Sequence, residues 1–171
     1  AADLGLTPYR RHIFESGPLP GVRPDGPFVW DMDHDVYYRP AGDRLWLCAC
    51  DEEPHPPGSP EPEPGAEAAL REKLAAAFPA LARVELPSAR ACLRTFAPDR
   101  RYVIGPDPAL PGLFWVAGLG GSGATAGAAV GELAAERLLR GGGPVDAGAY
   151  PETAFDPVRF AGGAPTLEAE S

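Results

Sequence analysis

Two features of the sequence could do chemistry together: an arginine in a predicted strand and a glycine-rich turn that leads into a helix. Arg94 lies in the segment 92–105, and the glycine turn follows at 118–123, after a run of apolar residues. A helix N-terminus presents unpaired N–H groups and a partial positive charge, so it favours an anion. Glycine lets a flat group approach the backbone closely. Together these features suit an anionic substrate beside an electron-rich cofactor.

Each feature also has a simpler interpretation. The run Leu119–Gly123 (LGGSG) is not followed by Gly-Lys-Ser/Thr, and it does not stand where a Rossmann phosphate loop would begin a domain. It could be a turn in which glycine serves only close packing. Arg94 could likewise be a structural ion-pair partner. The residues alone leave both alternatives open.

The elements that would position these residues begin with an antiparallel sheet. Four runs rich in β-branched and aromatic residues are separated by turn signals. The predicted strands are Thr7–Ser16, Phe28–Met32, Val36–Arg39 and Leu45–Cys50. The next segment, Glu52–Gly65, alternates proline with glutamate and histidine. It is therefore predicted to be an exposed loop that cannot join a sheet.

Helices and further strands follow this loop. Helical spacing of apolar residues predicts a helix over Ala66–Phe78, which Pro79 ends. Strands are predicted at Ala89–Phe96 and Val103–Gly105. The nearly continuous apolar run Leu113–Ala117 predicts a strand that is buried on both faces.

The last part of the chain is predicted to be one helix and a tail. A helix rich in small residues is expected over Gly123–Arg140, and the run Gly141–Pro144 ends it. From Val145 onward we expect short turns, with Phe155–Phe160 packing back as a hook.

Composition limits the functions that the chain can have. Its 171 residues include 44% apolar residues, enough for a folded domain with a core. The formal net charge of −9 argues against nucleic-acid binding, because that affinity comes mainly from lysine and arginine. The sequence has no signal-peptide pattern and no apolar run of membrane-spanning length, so a soluble cytoplasmic protein is expected.

The residues that could bind a metal are few and poorly spaced. Cys48, Cys50 and Cys92 form no Cys-x-x-Cys pair and have no histidine pair nearby, so no zinc site or disulfide framework is expected. Cys48 and Cys50 alternate in a predicted strand and are interpreted as packed apolar residues rather than a redox pair. The acidic run Asp31–Asp35 lacks the features of a calcium loop and is interpreted as a solvated turn. No metal is predicted.

Four segments, in this order along the chain, resemble the FAD-dependent D-amino-acid oxidase and dehydrogenase superfamily. Tyr9–Phe14 and Val36–Pro40 resemble two strands of its substrate domain. Cys92–Gly105 (CLRTFAPDRRYVIG) is similar to its arginine-bearing strand, turn and following strand. Gly112–Leu139 is similar to the strand, turn and helix that close its flavin domain. The combination is most similar to the D-arginine-dehydrogenase-like enzymes.

The resemblance implies roles for particular residues. Arg94 would form a two-pronged ion pair with the carboxylate of a small amino-acid substrate, with Arg11 as a second cation and Tyr37 as a hydroxyl donor. No side chain is assigned a catalytic role. The residues implied at the FAD cofactor are Gly118, Gly120, Gly121, Ser122, Gly123 and Thr125.

The resemblance also implies the fold class, which is α+β. Residues 1–96 would form an antiparallel or mixed substrate-domain sheet with a helix. Residues 97–144 would form the closing strand and helix of an FAD-binding α/β domain, and 145–171 a tail. The N-terminal Rossmann half has no counterpart here, because the Gly-x-Gly-x-x-Gly spacing at 118–123 falls in the segment that resembles the closing flavin elements. We therefore expect a missing FAD-binding half as partner and no activity from the isolated chain.

The expected reaction is oxidation of the Cα–N bond of a D-amino acid to an imino acid, with oxygen or a quinone as the electron acceptor. Two alternatives stay open. One is a relative of the sarcosine oxidases that acts on secondary amines. The other is a non-catalytic partner subunit or fragment that needs a separate FAD-binding chain.

Overall fold

A computed structural model describes residues 1–140 and 152–161. The chain divides into two compact units. One, which we call the sheet unit, is Tyr9–Leu93, and the other, the hairpin unit, is Ala1–Pro8 together with Arg94–Ser171. The functional division expected from the sequence, at 96/97 and 144/145, stays a prediction.

The sheet unit is built on an antiparallel sheet, as the sequence predicts. Its strands are β1 (Thr7–Glu15), β2 (Val29–Asp31), β3 (Val36–Ala41), β4 (Arg44–Cys48), β5 (Glu53–Pro54) and β6 (Ser88–Phe96). The first five lie in the order β2-β3-β4-β1-β5, and β6 also pairs with β1. In the β3–β4 hairpin Tyr37 lies opposite Cys48, and the tight turn between these strands has Gly42 at a φ of +71°.

One helix covers a face of this sheet. Helix α1 (Ala66–Ala77) buries Leu70 and Leu74 completely, and the two leucines pack with Phe14 and Leu47. Removing these side chains from water is the main source of stability for the helix, since its sequence offers no side-chain cap at the N-terminus. The helix ends before Pro79, as the sequence predicts, and Pro79 begins a short 3₁₀ turn.

The prediction that Glu52–Gly65 cannot join the sheet is wrong at one end. Glu53 and Pro54 pair with β1 as a two-residue edge strand, opposite Arg10 and Tyr9. Proline lacks only the N–H donor, so it is tolerated at the edge of a sheet, where the N–H can face away from the neighbouring strand.

The hairpin unit pairs two strands and packs a helix on them. Strands β7 (Val103–Pro106) and β8 (Phe114–Ala117) are antiparallel. Helix α2 (Gly123–Leu139) packs Val130 and Ala134 on Ile104. The buried Arg137 of α2 donates from Nη1 to the carbonyl oxygen of Ile104 at 2.5 Å. These contacts fix the helix, and with it the turn at its N-terminus.

The apolar run Leu113–Ala117 predicts a strand buried on both faces in the intact protein, and an exposed apolar face where the N-terminal half is missing; the described part of the chain shows the exposed face. Val116 is 46% exposed and the other residues of β8 are half-buried. The reason is that β7 is the only strand that pairs with β8 among the described residues. The apolar run therefore predicts the position of the strand correctly but does not show whether both of its faces are buried.

The expected hook is present as two 3₁₀ turns, Glu152–Phe155 and Pro157–Phe160. Phe160 is buried with Leu4, Ala97 and Val103. The predicted helix stop at 141–144 and the rest of the tail, 145–151 and 162–171, lie outside the described residues. Within residues 1–140 and 152–161, no helix has the length and apolar character needed to cross a bilayer.

Candidate functional site

The glycine-rich turn between β8 and α2 has a backbone that other residues would strain. Gly118 and Gly120 have φ values of +68° and +54°. The Gly120 N–H donates to the carbonyl oxygen of Thr95 at 3.0 Å. A Cβ on Gly120 would lie only 2.2 Å from Cε1 of Phe96. The turn is thus held tightly against the end of β6, and glycine is required at position 120 both for the backbone angle and for space.

The structure places Arg94 beside this turn. Its Nε and Cδ atoms lie 3.6 and 3.7 Å from the position that a Cβ on Gly121 would occupy. Gly121 itself is exposed and Arg94 is half-buried. The two features that the sequence suggested as partners are therefore neighbours within the hairpin unit.

The predicted residues that follow the glycines are held by local hydrogen bonds. The Ser122 hydroxyl donates to the carbonyl oxygen of Leu119 at 3.2 Å, so Tyr102 is the donor in the 2.6 Å bond between the two hydroxyls. The exposed Thr125 hydroxyl donates to the carbonyl oxygen of Ser122 at 2.9 Å, and its oxygen can still accept. Helix α2 begins at Gly123, and the side chain of Ser122 does not cap its first N–H groups.

Arg11 lies in the sheet unit and is held by protein oxygens. Its Nε donates to the carbonyl oxygen of Asp51 at 2.9 Å, and its Nη2 lies 2.5 Å from Oε1 of Glu52. Burial alone would lower the pKa of Arg11, but the nearby groups of Cys48, Cys50 and Glu52 raise it above its usual value. Arg11 is a permanent cation here, and one of its partners is already a carboxylate.

Tyr37 is among the charged or titrating groups that raise the pKa of Arg11. It packs with Ile13, Cys48 and Cys50. Its ring also contacts Phe28, with 5.0 Å between ring centroids. The predicted substrate-binding pair Arg11 and Tyr37 therefore comes together in the sheet unit, as Arg94 and the glycine turn do in the hairpin unit.

Cys48 and Cys50 are buried, which agrees with their interpretation as packed residues. The structure also shows a hydrogen bond between the two cysteines that their spacing in the sequence did not predict. Cys50 has a φ of +51°, and its N–H donates to Sγ of Cys48 at 3.3 Å. Hydrogen bonding by Cys50 and Tyr37, with the charge of Arg11, lowers the pKa of the Cys48 thiol, although burial opposes this. The same interaction with Cys48, together with burial, raises the pKa of Cys50.

Arg10, Arg11 and His12, three successive residues of β1, bind the segment 51–63, most of which the sequence predicts to be an exposed loop. His12 is buried, with Nδ1 2.6 Å from Oδ2 of Asp51 and Nε2 accepting from the N–H of Glu63 at 2.9 Å. Arg10 forms ion pairs with Glu53 at 2.7 Å and with Glu63 at 2.6 Å. The basic run at 10–12 and the acidic residues at 51–53 are visible in the sequence, but their pairing depends on the fold.

Among the described residues, no group of three or more histidine, cysteine, aspartate or glutamate side chains could hold a metal ion. The arrangement instead offers three things: fixed cations, an aromatic hydroxyl, and a glycine backbone open to a flat group.

Comparison with known proteins identifies the family. Residues 1–137 match the family model described as FAD dependent oxidoreductase, abbreviated DAO. A comparison with curated proteins gives no match. The chain belongs to this FAD-dependent oxidoreductase family, and FAD is accordingly the cofactor that the family membership indicates.

Solved structures with the same fold are named as dehydrogenases and oxidases. The chain is similar to L-proline dehydrogenase from P. horikoshii, with a TM-score of 0.76 and 20% identity over 96% of this chain and 43% of that one. It is also similar to iminodiacetate oxidase from Chelativorans sp. BNC1, with a TM-score of 0.69 and 22% identity over 91% and 41%. For glycine oxidase from Geobacillus kaustophilus the TM-score is 0.70 and the identity 20%, over 92% and 40%.

At these identities the likeness establishes the fold alone. The chain spans well under half the length of each of these three structures. The activity of the whole protein is therefore a matter for proposal.

Proposed function

We propose that this chain is the C-terminal part of an FAD-dependent enzyme that oxidises the Cα–N bond of a D-amino acid. The product would be an imino acid, which water hydrolyses to a 2-oxo acid and ammonia. One observation carries the proposal: the guanidinium group of Arg94 lies against the exposed backbone of Gly121. A substrate carboxylate on Arg94 would then lie beside whatever flat group covers the turn.

The turn fits the flavin ring of FAD. Gly120 has no space for a side chain and Gly121 is exposed without one, so a planar ring can approach the backbone. The first N–H groups of α2 receive no bond from the Ser122 side chain and point their partial positive charge away from the helix. In this proposal Gly118, Gly120, Gly121, Ser122, Gly123 and Thr125 line the ring. Bound FAD supplies the hydride acceptor.

The chain's own residues would bind and orient the substrate. Arg94 would hold the carboxylate with two parallel N–H···O bonds, for which a planar guanidinium is suited. From the family resemblance we also propose Arg11 as a second substrate-binding cation and Tyr37 as a hydroxyl donor to the substrate. Holding the carboxylate fixes the direction of the Cα–H bond, and this positioning is the main contribution of these side chains to the rate.

The rest of the FAD site would come from outside this chain. The run Gly118–Gly123 (GLGGSG) has the Gly-x-Gly-x-x-Gly spacing between a strand and a helix, but in this proposal it lines the flavin ring, so the adenosine diphosphate part of FAD would be bound elsewhere. We therefore propose an N-terminal FAD-binding half as the partner of the residues described here. Alone, the chain would bind FAD weakly and would not turn over substrate.

Replacing Arg94 in the FAD-containing protein tests the role on which the proposal rests. Arg94→Ala should lower kcat/KM for the best D-amino acid by about 2 to 4 kcal/mol, or roughly 30- to 1000-fold, because a charged two-pronged bond is lost. The kcat/KM of Arg94→Lys should lie between those of wild type and Arg94→Ala, since lysine keeps the charge but cannot form two parallel bonds.

Arg90→Ala is the matched control. Arg90 lies on the same strand, is exposed, and stacks on Trp46, with 4.0 Å from its Cζ to the ring centroid. Its removal changes the net charge by the same amount and should leave kcat/KM close to the wild-type value. Equal kinetics for Arg94→Ala and Arg90→Ala would refute the proposed carboxylate site.

A second candidate is oxidation of a secondary amine. It is favoured by the names of two structures of the same fold, L-proline dehydrogenase and iminodiacetate oxidase, whose named substrates are secondary amines. Comparing turnover of D-amino acids with turnover of N-methylglycine by the FAD-containing protein separates the two candidates.

A further inference from the structure

The guanidinium group of Arg11 already holds a carboxylate that belongs to the chain. Oε1 of Glu52 lies 2.5 Å from Nη2 of Arg11, and the carbonyl oxygen of Asp51 accepts from Nε. Nε and Nη2 form one edge of the guanidinium, the edge along which a carboxylate binds with two parallel bonds. Protein oxygens thus occupy both nitrogens of that edge.

The contact is partly buried. The Arg11 side chain is 13% exposed and that of Glu52 is 27% exposed. Water therefore screens the pair less than it screens an ion pair on the open surface. Glu52 is also held close to Arg11 from both sides along the chain. Asp51 is bound to His12, and Glu53 is bound to Arg10 and paired with β1.

The contacts of Asp51 and Glu53 fix the backbone of Glu52 and not its side chain. The neighbouring residues keep the Glu52 Cα beside Arg11, whereas the carboxylate can leave by rotating about its side-chain bonds. A second carboxylate can then take its place on Nη2 without any change in the sheet. The geometry shows one carboxylate on this cation, so a second carboxylate would have to bind by exchange with it.

We propose that Glu52 occupies the substrate-carboxylate position on Arg11 in the substrate-free protein and competes with the substrate for it. The proposal rests on the proposed function, since it takes Arg11 as a substrate-binding cation. Glu52 is then a residue that lowers the affinity for carboxylate-bearing substrates and leaves ligands without a carboxylate unaffected. The opposite role, in which Glu52 orients Arg11 for the substrate, predicts the opposite sign of effect.

The test compares Glu52→Gln with wild type in the FAD-containing protein. The probe is 2-aminoisobutyrate, which has no Cα–H and so binds without being oxidised, and its dissociation constant is measured by titration calorimetry. Glutamine keeps the shape of glutamate but loses the charge, so it competes less well for Arg11. We expect 2-aminoisobutyrate to bind about two- to fivefold more tightly to Glu52→Gln, the range given by the free energy of a partly exposed ion pair.

Two controls isolate the carboxylate. The primary amide of 2-aminoisobutyrate lacks the charge, and its affinity should be the same for both proteins. Glu72→Gln removes an equal charge from an exposed side chain of helix α1 and should bind 2-aminoisobutyrate as wild type does. Thermal unfolding of each variant confirms that the fold is intact.

The outcomes separate this inference from the function on which it rests. Equal or weaker binding of 2-aminoisobutyrate by Glu52→Gln overturns the competition, even if the enzyme oxidises D-amino acids. A parallel measurement of KM for D-alanine should show the same two- to fivefold fall. If the wild-type protein neither oxidises nor binds any amino acid, the proposed function fails, and the role of Glu52 fails with it.

Discussion

Replacing Gly120 with alanine tests how tightly the glycine turn is fixed. Gly120 has a φ of +54°, and a Cβ there would lie 2.2 Å from Cε1 and 2.8 Å from Cδ1 and Cζ of Phe96. The Phe96 ring would have to move, and Arg100 stacks on it, with 4.3 Å from its Cζ to the ring centroid. The substitution therefore perturbs the backbone, the ring and the residue on the ring together.

The expected cost has two parts. An alanine in the left-handed region costs about 1 to 2 kcal/mol. Forcing an additional carbon against the half-buried ring of Phe96 costs about 1 to 3 kcal/mol. The free energy of unfolding should thus fall by about 2 to 5 kcal/mol. For a chain of this size that corresponds to a fall in Tm of roughly 5 to 15 °C.

Urea denaturation followed by tryptophan fluorescence measures the change, with Gly127→Ala as the matched control. Gly127 lies within α2, and no heavy atom is within 4 Å of the position of its Cβ. Alanine there should stabilise the protein by about 0.5 to 1 kcal/mol. If Gly120→Ala unfolds at the wild-type urea concentration, the close contact between the turn and Phe96 is refuted.

Two further predictions concern titrating groups. Burial would raise the pKa of Asp107, but hydrogen bonds from the Trp115 indole and from the N–H groups of Ala2, Ala109 and Leu110 lower it to about 2. Ionised Asp107 therefore stabilises the folded protein at pH values above the usual carboxyl pKa, and this contribution is lost as the pH falls toward 2. Asp107→Asn should consequently make the free energy of unfolding, measured by circular dichroism, depend less on pH in the acid range. The Cys48 thiol, with its lowered pKa, should form thiolate at a lower pH than an ordinary cysteine does, as followed by ultraviolet absorbance. Cys48→Ser should abolish that titration step. A step that survives the substitution would contradict the assignment to Cys48.

The sequence predicts most of the elements because their signals are local. Alternation and turn residues define the β3–β4 hairpin, and helical spacing ended by Pro79 defines α1. The glycines at 118–123 indicate a tight turn before α2, and the structure has that turn. In each case the physical cause lies within about ten residues of the chain.

The errors arise where distant partners decide the outcome. Glu53 and Pro54 join the sheet because Arg10 and Tyr9 offer an unpaired edge, which the proline-rich composition of the segment cannot reveal. The cover of β8 depends on how many strands pair with it, and not on the apolar character of Val116.

The candidate site divides in the same way. Arg94 and the glycine turn could be associated from the order of motifs along the chain. The pairing of Arg11 with Glu52 could not be predicted from the sequence, because the two residues are 41 positions apart. Their approach depends on the register of β1 with the segment that follows β4. The hydrogen bond from the N–H of Cys50 to Sγ of Cys48 depends on the positive φ of Cys50, which no residue type at that position indicates.

The most direct test of the proposed function is whether a D-amino acid reduces the bound FAD of the complete protein. Under anaerobic conditions, absorbance of the oxidised flavin should bleach on adding a D-amino acid. The L-enantiomer and N-methylglycine should bleach it far more slowly, and Arg94→Ala should slow the D-amino-acid reaction. Bleaching by N-methylglycine or the L-enantiomer alone, or by none of these compounds, would contradict the assignment of a D-amino-acid-oxidising enzyme.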